Sequence, residues 1–192
     1  MFKYLIFVVC LIFLYSCEQQ PLIDDYKVEG ISTGNSLKDF LRDEKIEEFK
    51  LQSKNAYKDK PNQDFFYVNY FENLETYNFL SMFSRTNDKD YIINGLFGTQ
   101  YMPNNNSCFE KKEKTALEFS NTYKNTKRSS GEKINQDLTG KFTYDYFDFP
   151  SGSRIGIQCN MYNDGDVTFD ISIVSSVDLI KWLEFGNEEI SN

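Results

Sequence analysis

From Arg154 to Tyr162, Ile155, Ile157, Cys159 and Met161 alternate with Gly156, Gln158 and Asn160; from Asp166 to Val174, Val167, Phe169, Ile171 and Ile173 alternate with Thr168, Asp170 and Ser172. A period of two with one apolar face marks a half-buried strand, and two such runs around Asn163-Asp164-Gly165 predict a β-hairpin. The faces set its register. A two-residue Asp164-Gly165 loop would put Met161 opposite Thr168 and mix apolar with polar. A three-residue loop, a type I turn closed by Gly165 in the left-handed region, puts Met161 opposite Val167 and Cys159 opposite Phe169. The three-residue loop is expected. Phe142 to Phe149 alternates as well and adds a third antiparallel strand through the Pro150-Ser151-Gly152 turn.

Helical spacing takes over elsewhere. Ser36-Leu37-Lys38-Asp39 has the form of a helix start, with Ser36 as N-cap and an acid three residues on. Leu37, Phe40 and Leu41 begin an apolar stripe that shifts and continues through Ile46 and Phe49, predicting one amphipathic helix over about 37–57, with room for a break at the shift. Ser107-Cys108-Phe109-Glu110 reads as a capping box, and Phe109, Ala116, Leu117 and Tyr123 place one face of a helix over about 108–124 toward a core. Cys108 falls in its first turn. Ser175-Ser176-Val177-Asp178 opens a last helix carrying Leu179, Ile180, Trp182, Leu183 and Phe185. Asp64 to Ser84 is densely aromatic and fits either strand or helix. Asn94-Gly95, between Ile92-Ile93 and Leu96-Phe97, carries a hairpin signal. Pro103 to Ser107 reads as a loop, and Lys124 to Gly140 is polar with Lys127 to Gly131 exposed. The sum is an α+β domain: an antiparallel sheet with a C-terminal β-hairpin and helices packed on one face.

The N-terminus is of a different kind. Met1-Phe2-Lys3 is followed by an apolar and aromatic run from Tyr4 to Tyr15, then Ser16-Cys17-Glu18-Gln19-Gln20. The run is shorter than the about 20 residues a spanning helix needs and has the form of a secretory signal. Leu14-Tyr15-Ser16-Cys17 resembles the lipobox of bacterial lipoproteins. That resemblance implies diacylglycerol on the Cys17 sulfur, cleavage between Ser16 and Cys17, and acylation of the new amino group. Acyl chains contribute about 0.8 kcal/mol per buried CH₂, so two or three hold a protein on a bilayer. The implied location is the bacterial envelope, on the inner or outer membrane, with the domain facing the periplasm or the cell surface. The organisation expected is a signal peptide over 1–16, a lipidated tether over 17–35 containing Pro21, Gly30 and Gly34, and one globular domain over 36–192.

Processing changes the cysteine arithmetic. Cys10 leaves with the signal and Cys17 takes lipid, so Cys108 and Cys159 remain, and an even pair in an exported chain is most simply a disulfide, the alternative being two buried free thiols. Charge changes too. The 192-residue chain carries 21 basic and 29 acidic residues for a net −8, and loss of Lys3 takes the mature chain to −9. Such a surface repels a polyanion, so no nucleic-acid partner is expected.

Candidate chemistry is sparse. The absence of histidine removes Ser/His/Asp and Cys/His nucleophilic arrangements and the commonest zinc ligand. Ser153, in Gly152-Ser153-Arg154-Ile155-Gly156, misses the nucleophile-elbow pattern because it is not central between the glycines. Tyr162-Asn163-Asp164-Gly165-Asp166 superficially resembles a calcium loop, yet the twelfth position counted from Asn160 is Ile171, where a bidentate glutamate belongs. No cofactor or metal is expected. Asp145 and Asp148, beside Tyr144, Tyr146 and Phe147, are the first candidates for a carboxylate pair of the kind that hydrolyses glycans; the competing reading is a solvated strand face with an aromatic inner face. The tyrosine-rich stretch 57–77 offers more aromatic side chains than one buried face holds. The expected function is a non-catalytic protein-binding module anchored at the membrane by Cys17, with an inhibitor of an incoming toxin as a sub-case, since an acidic surface speeds capture of a basic target. The alternatives are a structural or assembly lipoprotein and, third, a carboxylate hydrolase.

Overall fold

The alternating runs join one antiparallel sheet of seven strands. A computed structural model describes residue 23 and residues 26–56, 63–135 and 139–184, so the lipobox and Cys17, Tyr57 and Phe185 lie outside the described residues. In chain order the elements are a 3₁₀ turn Leu37–Asp39, α1 (Asp43–Ala56), β1 (Phe65–Tyr70), β2 (Phe79–Arg85), β3 (Ile93–Tyr101), α2 (Asn105–Thr122), β4 (Lys127–Ile134), β5 (Gly140–Asp148), β6 (Arg154–Tyr162), β7 (Val167–Val174) and α3 (Val177–Glu184). The spatial order is β1-β2-β3-β7-β6-β5-β4. In the β6–β7 hairpin Cys159 stands opposite Phe169 and Met161 opposite Val167, the register of a three-residue loop. Gly165 supplies the left-handed residue at φ +99°, and Asp164 Oδ1 accepts from Asp166 N at 3.1 Å.

Several expectations change. The aromatic stretch 64–84 forms strands β1 and β2, with Phe66, Val68, Leu80 and Met82 buried. Asn94-Gly95 is no turn: β3 runs through it, and because Gly95 pairs with Phe83 while Ile93 pairs with Ser84, Asn94 is the extra residue of a β-bulge. Helix α2 starts earlier than the Ser107 capping box, since Asn104 is the N-cap and its side chain accepts from Ser107 N at 3.0 Å. Strand β4 carries no apolar alternation because all eight of its residues are exposed at the sheet edge.

The helices do not share one face. Ile46 of α1 and Cys108, Ala116 and Phe119 of α2 pack on the large core with Ile155, Ile157, Phe169 and Ile173. Leu179 and Trp182 of α3 pack instead with Phe65, Phe83 and Val174 in a second cluster. Ile173 and Val174 are consecutive on β7, so the two clusters lie on opposite faces of the sheet. Gly95 makes the α3 contact possible: a Cβ there would lie 2.6 Å from Leu179 Cδ2. Part of the segment expected as a tether packs on the domain, with Ile23, Val28 and Ile31 buried in the large core. Val28 and Ile31 exchange backbone hydrogen bonds at 2.9 and 3.0 Å, a turn through Glu29 and Gly30 (φ +54° and +78°) that sends both apolar side chains into the core. Cys108 and Cys159 form a disulfide that fastens α2 to β6.

Candidate binding face

Helix α3 covers only one end of its face. The covered row runs Asp148, Arg154, Val174, Gly95, Phe83 across β5, β6, β7, β3 and β2. Beyond it the same face continues as Tyr146, Gly156, Ser172, Phe97, then Tyr144, Gln158, Asp170, Thr99, Phe79, then Phe142, Asn160, Thr168, Tyr101. Phe97 still packs against the α3 cluster, and no described helix lies over the rows beyond it. Antiparallel registry therefore sets an aromatic file on β5 beside a polar file on β6 and β7, with more rings on β2 and β3.

The aromatic file is ordered. Tyr144 and Tyr146 stack with centroids 4.5 Å apart, and Phe142 lies 6.1 Å from Tyr144. Gln158 Nε2 donates to the Tyr146 hydroxyl at 2.7 Å, while burial pushes that phenol up to about 12. Arg154 closes the α3 end: its guanidinium lies 4.8 Å from the Tyr146 ring centre, its Nε donates to Asp148 Oδ1 at 2.6 Å, and its Nη1 reaches Glu184. Between α3 and these rows lies an open cleft of about 440 Å³, walled by Phe97, Phe142, Tyr146, Ile180 and Leu183 with Arg154 and Glu184 at one end. At the centre of the face, Asp170 Oδ2 accepts from Asn160 Nδ2 at 2.5 Å. Burial pushes the Asp170 carboxyl up to about 6 against the opposing pull of the nearby Thr99, Asn160 and Thr168 side chains.

The residues singled out from sequence fare differently. Asp145 and Asp148 do not form a pair, because three positions apart on a strand they point to opposite faces. Asp145 is buried on the α2 side, bonded to Lys112 Nζ at 2.6 Å and Arg128 Nη2 at 2.7 Å; Asp148 is held by Arg154. The aromatic inner face expected on β5 is inverted, for Thr143, Asp145 and Phe147 face the large core and the three rings face out. Ser153 is buried with its Oγ 2.5 Å from Ser151 Oγ, immediately before β6. Residues 162–166 are hairpin turn. The described tyrosines of the stretch 57–77 go into packing: Tyr67 stacks on Phe83, Tyr70 meets Phe40, and Tyr77 is kept well above its ordinary pKa by burial. Gln158, Asn160 and Asp170 read from sequence as a polar strand face; the signal that this face is also aromatic is the β5 register. Among the described residues no group of three acidic or cysteine side chains is placed to hold a metal ion, and no helix is long and apolar enough to cross a membrane. No family model matches the chain, and no curated protein and no solved structure matches it either.

Proposed function

We propose that the chain is a lipoprotein of the bacterial envelope, anchored through Cys17, whose domain is a non-catalytic protein-binding module that takes its partner on the sheet face left open beside α3. One observation carries this reading: Phe142, Tyr144, Tyr146, Tyr162 and Tyr101 share a face on which Gln158, Asn160 and Asp170 are interleaved. Rings of this kind bury large area at low entropy cost and dominate interface hot spots, while the polar side chains between them bond to one another and to Tyr146 and so hold the rings in place. Tyr101 is 57% exposed, and Phe71, beside Phe79 at 5.7 Å, is 63% exposed. Large rings held in water on one face mark an interaction surface. The net charge of −8 favours a basic partner, which suits inhibition of an incoming toxin.

The test is affinity capture of the lipidated protein from its own envelope, with crosslinking and mass spectrometry, beside Cys17→Ala and a Tyr144→Ser/Tyr101→Ser variant. A single stoichiometric protein, crosslinked to β5, β6 or β7 and lost in the tyrosine variant, is the expected result. Its identity separates a toxin from an assembly component. Capture that survives the double substitution, or recovery of glycan in place of protein, overturns the reading.

A further inference from the structure

The open face holds a second cavity, of about 260 Å³, at the hairpin end of β6 and β7. Three rings, Phe79, Tyr101 and Tyr162, and three carboxylates, Asp164, Asp166 and Asp170, form most of its wall, and no lysine or arginine lines it. Asp170 makes the cavity more than an acidic patch. Its Oδ2 is satisfied by Asn160, and the Thr99 and Thr168 side chains also favour its charged form, but its Oδ1 is shut off from solvent and has no hydrogen-bond partner among the described residues. A carboxylate withdrawn from water with an unpaired oxygen and no cation beside it is a costly feature to retain. What it lacks is a positive charge nearby.

The shape of the site narrows the choice of cation. A divalent metal needs several oxygens converging at about 2.0–2.6 Å, and the described carboxylates are not grouped to hold one. Rings beside carboxylates suit an organic cation, whose charge is attracted to ring faces as well as to the acids and whose alkyl stem packs against them. We propose that this cavity accepts a lysine or arginine side chain of the protein partner, whose ammonium or guanidinium brings a positive charge to the wall that Asp164, Asp166 and Asp170 share. The assignment rests on the protein-binding reading and narrows it: the partner presents a basic side chain to the hairpin end of the face, matching the net −8 of the chain.

The test titrates the full chain in detergent with N-acetyl-lysine methylamide, N-acetyl-arginine methylamide and the uncharged N-acetyl-norleucine methylamide, following amide resonances of Thr99, Thr168 and Asp170. Spermidine and calcium chloride are separate arms. Saturable shifts with at least one basic probe, none with norleucine, and at least fivefold weaker binding in both Asp170→Asn and Tyr101→Ala are expected. The first variant is isosteric and the second removes an exposed ring, so both are compatible with folding. Basic probes that do not saturate, binding unchanged in both variants, or tighter saturation by calcium or spermidine overturns the proposal. The captured partner separates the two readings. Capture that is lost with Tyr144→Ser but unaffected by Asp170→Asn overturns the cation site and leaves the binding face. Asp170-dependent probe binding with no protein captured overturns the partner as the source of the cation.

Discussion

Lys112 Nζ lies 2.6 Å from Asp145 Oδ2 under helix α2, where the Lys112 side chain is 12% exposed and that of Asp145 3%. The other carboxylate oxygen takes Arg128, whose side chain is 47% exposed. Removing one partner of a buried ion pair leaves an uncompensated charge, which costs more than the pair contributes over an apolar replacement. Asp145→Ala should therefore destabilise the domain by about 3 kcal/mol, whereas Arg128→Ala, at the surface, should cost about 1 kcal/mol or less. Asp145→Leu combined with Lys112→Met should regain most of the loss. Denaturant midpoints of the four proteins check the order; equal losses at Asp145 and Arg128 would show that burial is not what sets the cost.

The Cys108–Cys159 bond closes a separation of 51 residues between the start of α2 and the middle of β6. In the chain-entropy model a loop of that length lowers the entropy of the unfolded chain by an amount worth about 4 kcal/mol. The replacement Cys108→Ala/Cys159→Ala should lower the unfolding free energy by up to that amount, and reduction of the wild type should do the same. Phe119, Phe147, Ile157 and Phe169 belong to the same core and join α2 to the sheet independently of the two sulfurs, so the reduced domain should keep its near-ultraviolet dichroism at moderate temperature. Loss of that signal on reduction would show that the core does not hold α2 unaided.

What was legible in the sequence was the strand whose two faces differ in polarity. Ile155 to Met161 and Val167 to Ile173 set their own register, and Gly165 set the loop. Where both faces carry rings, alternation loses its meaning: on β5, Phe142, Tyr144 and Tyr146 look like a core face, yet the core takes Phe147 and the ion-paired Asp145. The assignment of α3 to the other face was hidden for a related reason, since Ile173 and Val174 are both apolar and both buried. Strand β4 gave no signal because an edge strand exposed on both faces has no period. The open face itself could be read only after the registers of β5, β6 and β7 had been combined, because its residues come from separate strands and none stands in a motif.

The segment 26–35 was also hidden, since it docks through Val28, Ile31 and the Glu29 carboxylate, too few positions to leave a periodic trace. The Glu29 carboxylate accepts from the backbone N–H groups of Glu75, Thr76 and Tyr77 at 3.0, 2.6 and 3.1 Å. Partial burial pushes its carboxyl up, but the three donors outweigh it and hold it below the ordinary 4.5. A lowered carboxyl adds stability that is present above the unfolded value and is lost as pH falls through the folded one. Because the group is largely exposed, Glu29→Ala should cost only about 1 kcal/mol at neutral pH, and the gap from wild type should close in acid. Hydrogen exchange at the amides of residues 75–77 reads this directly, and unchanged protection would show that the turn stands without Glu29.

Asp170 has the opposite sign. Its carboxyl goes from 3.8 to about 6 on folding because burial disfavours the charged form. Between those values the folded chain holds a proton that the unfolded chain has released, so stability falls as pH rises from about 4 to about 6 and then levels off. The shift corresponds to a loss of up to about 3 kcal/mol at neutral pH. Asp170→Asn removes the ionisation, so it should match the wild type near pH 4 and exceed its stability at pH 7 by up to that amount, provided Asn160 still finds its acceptor. Unfolding measured at the two pH values in both proteins decides the matter, since a difference independent of pH would mean that Asp170 does not carry a buried charge. A positive outcome would identify a residue at the centre of the open face that lowers stability at neutral pH, where a basic side chain from a partner would offset the cost.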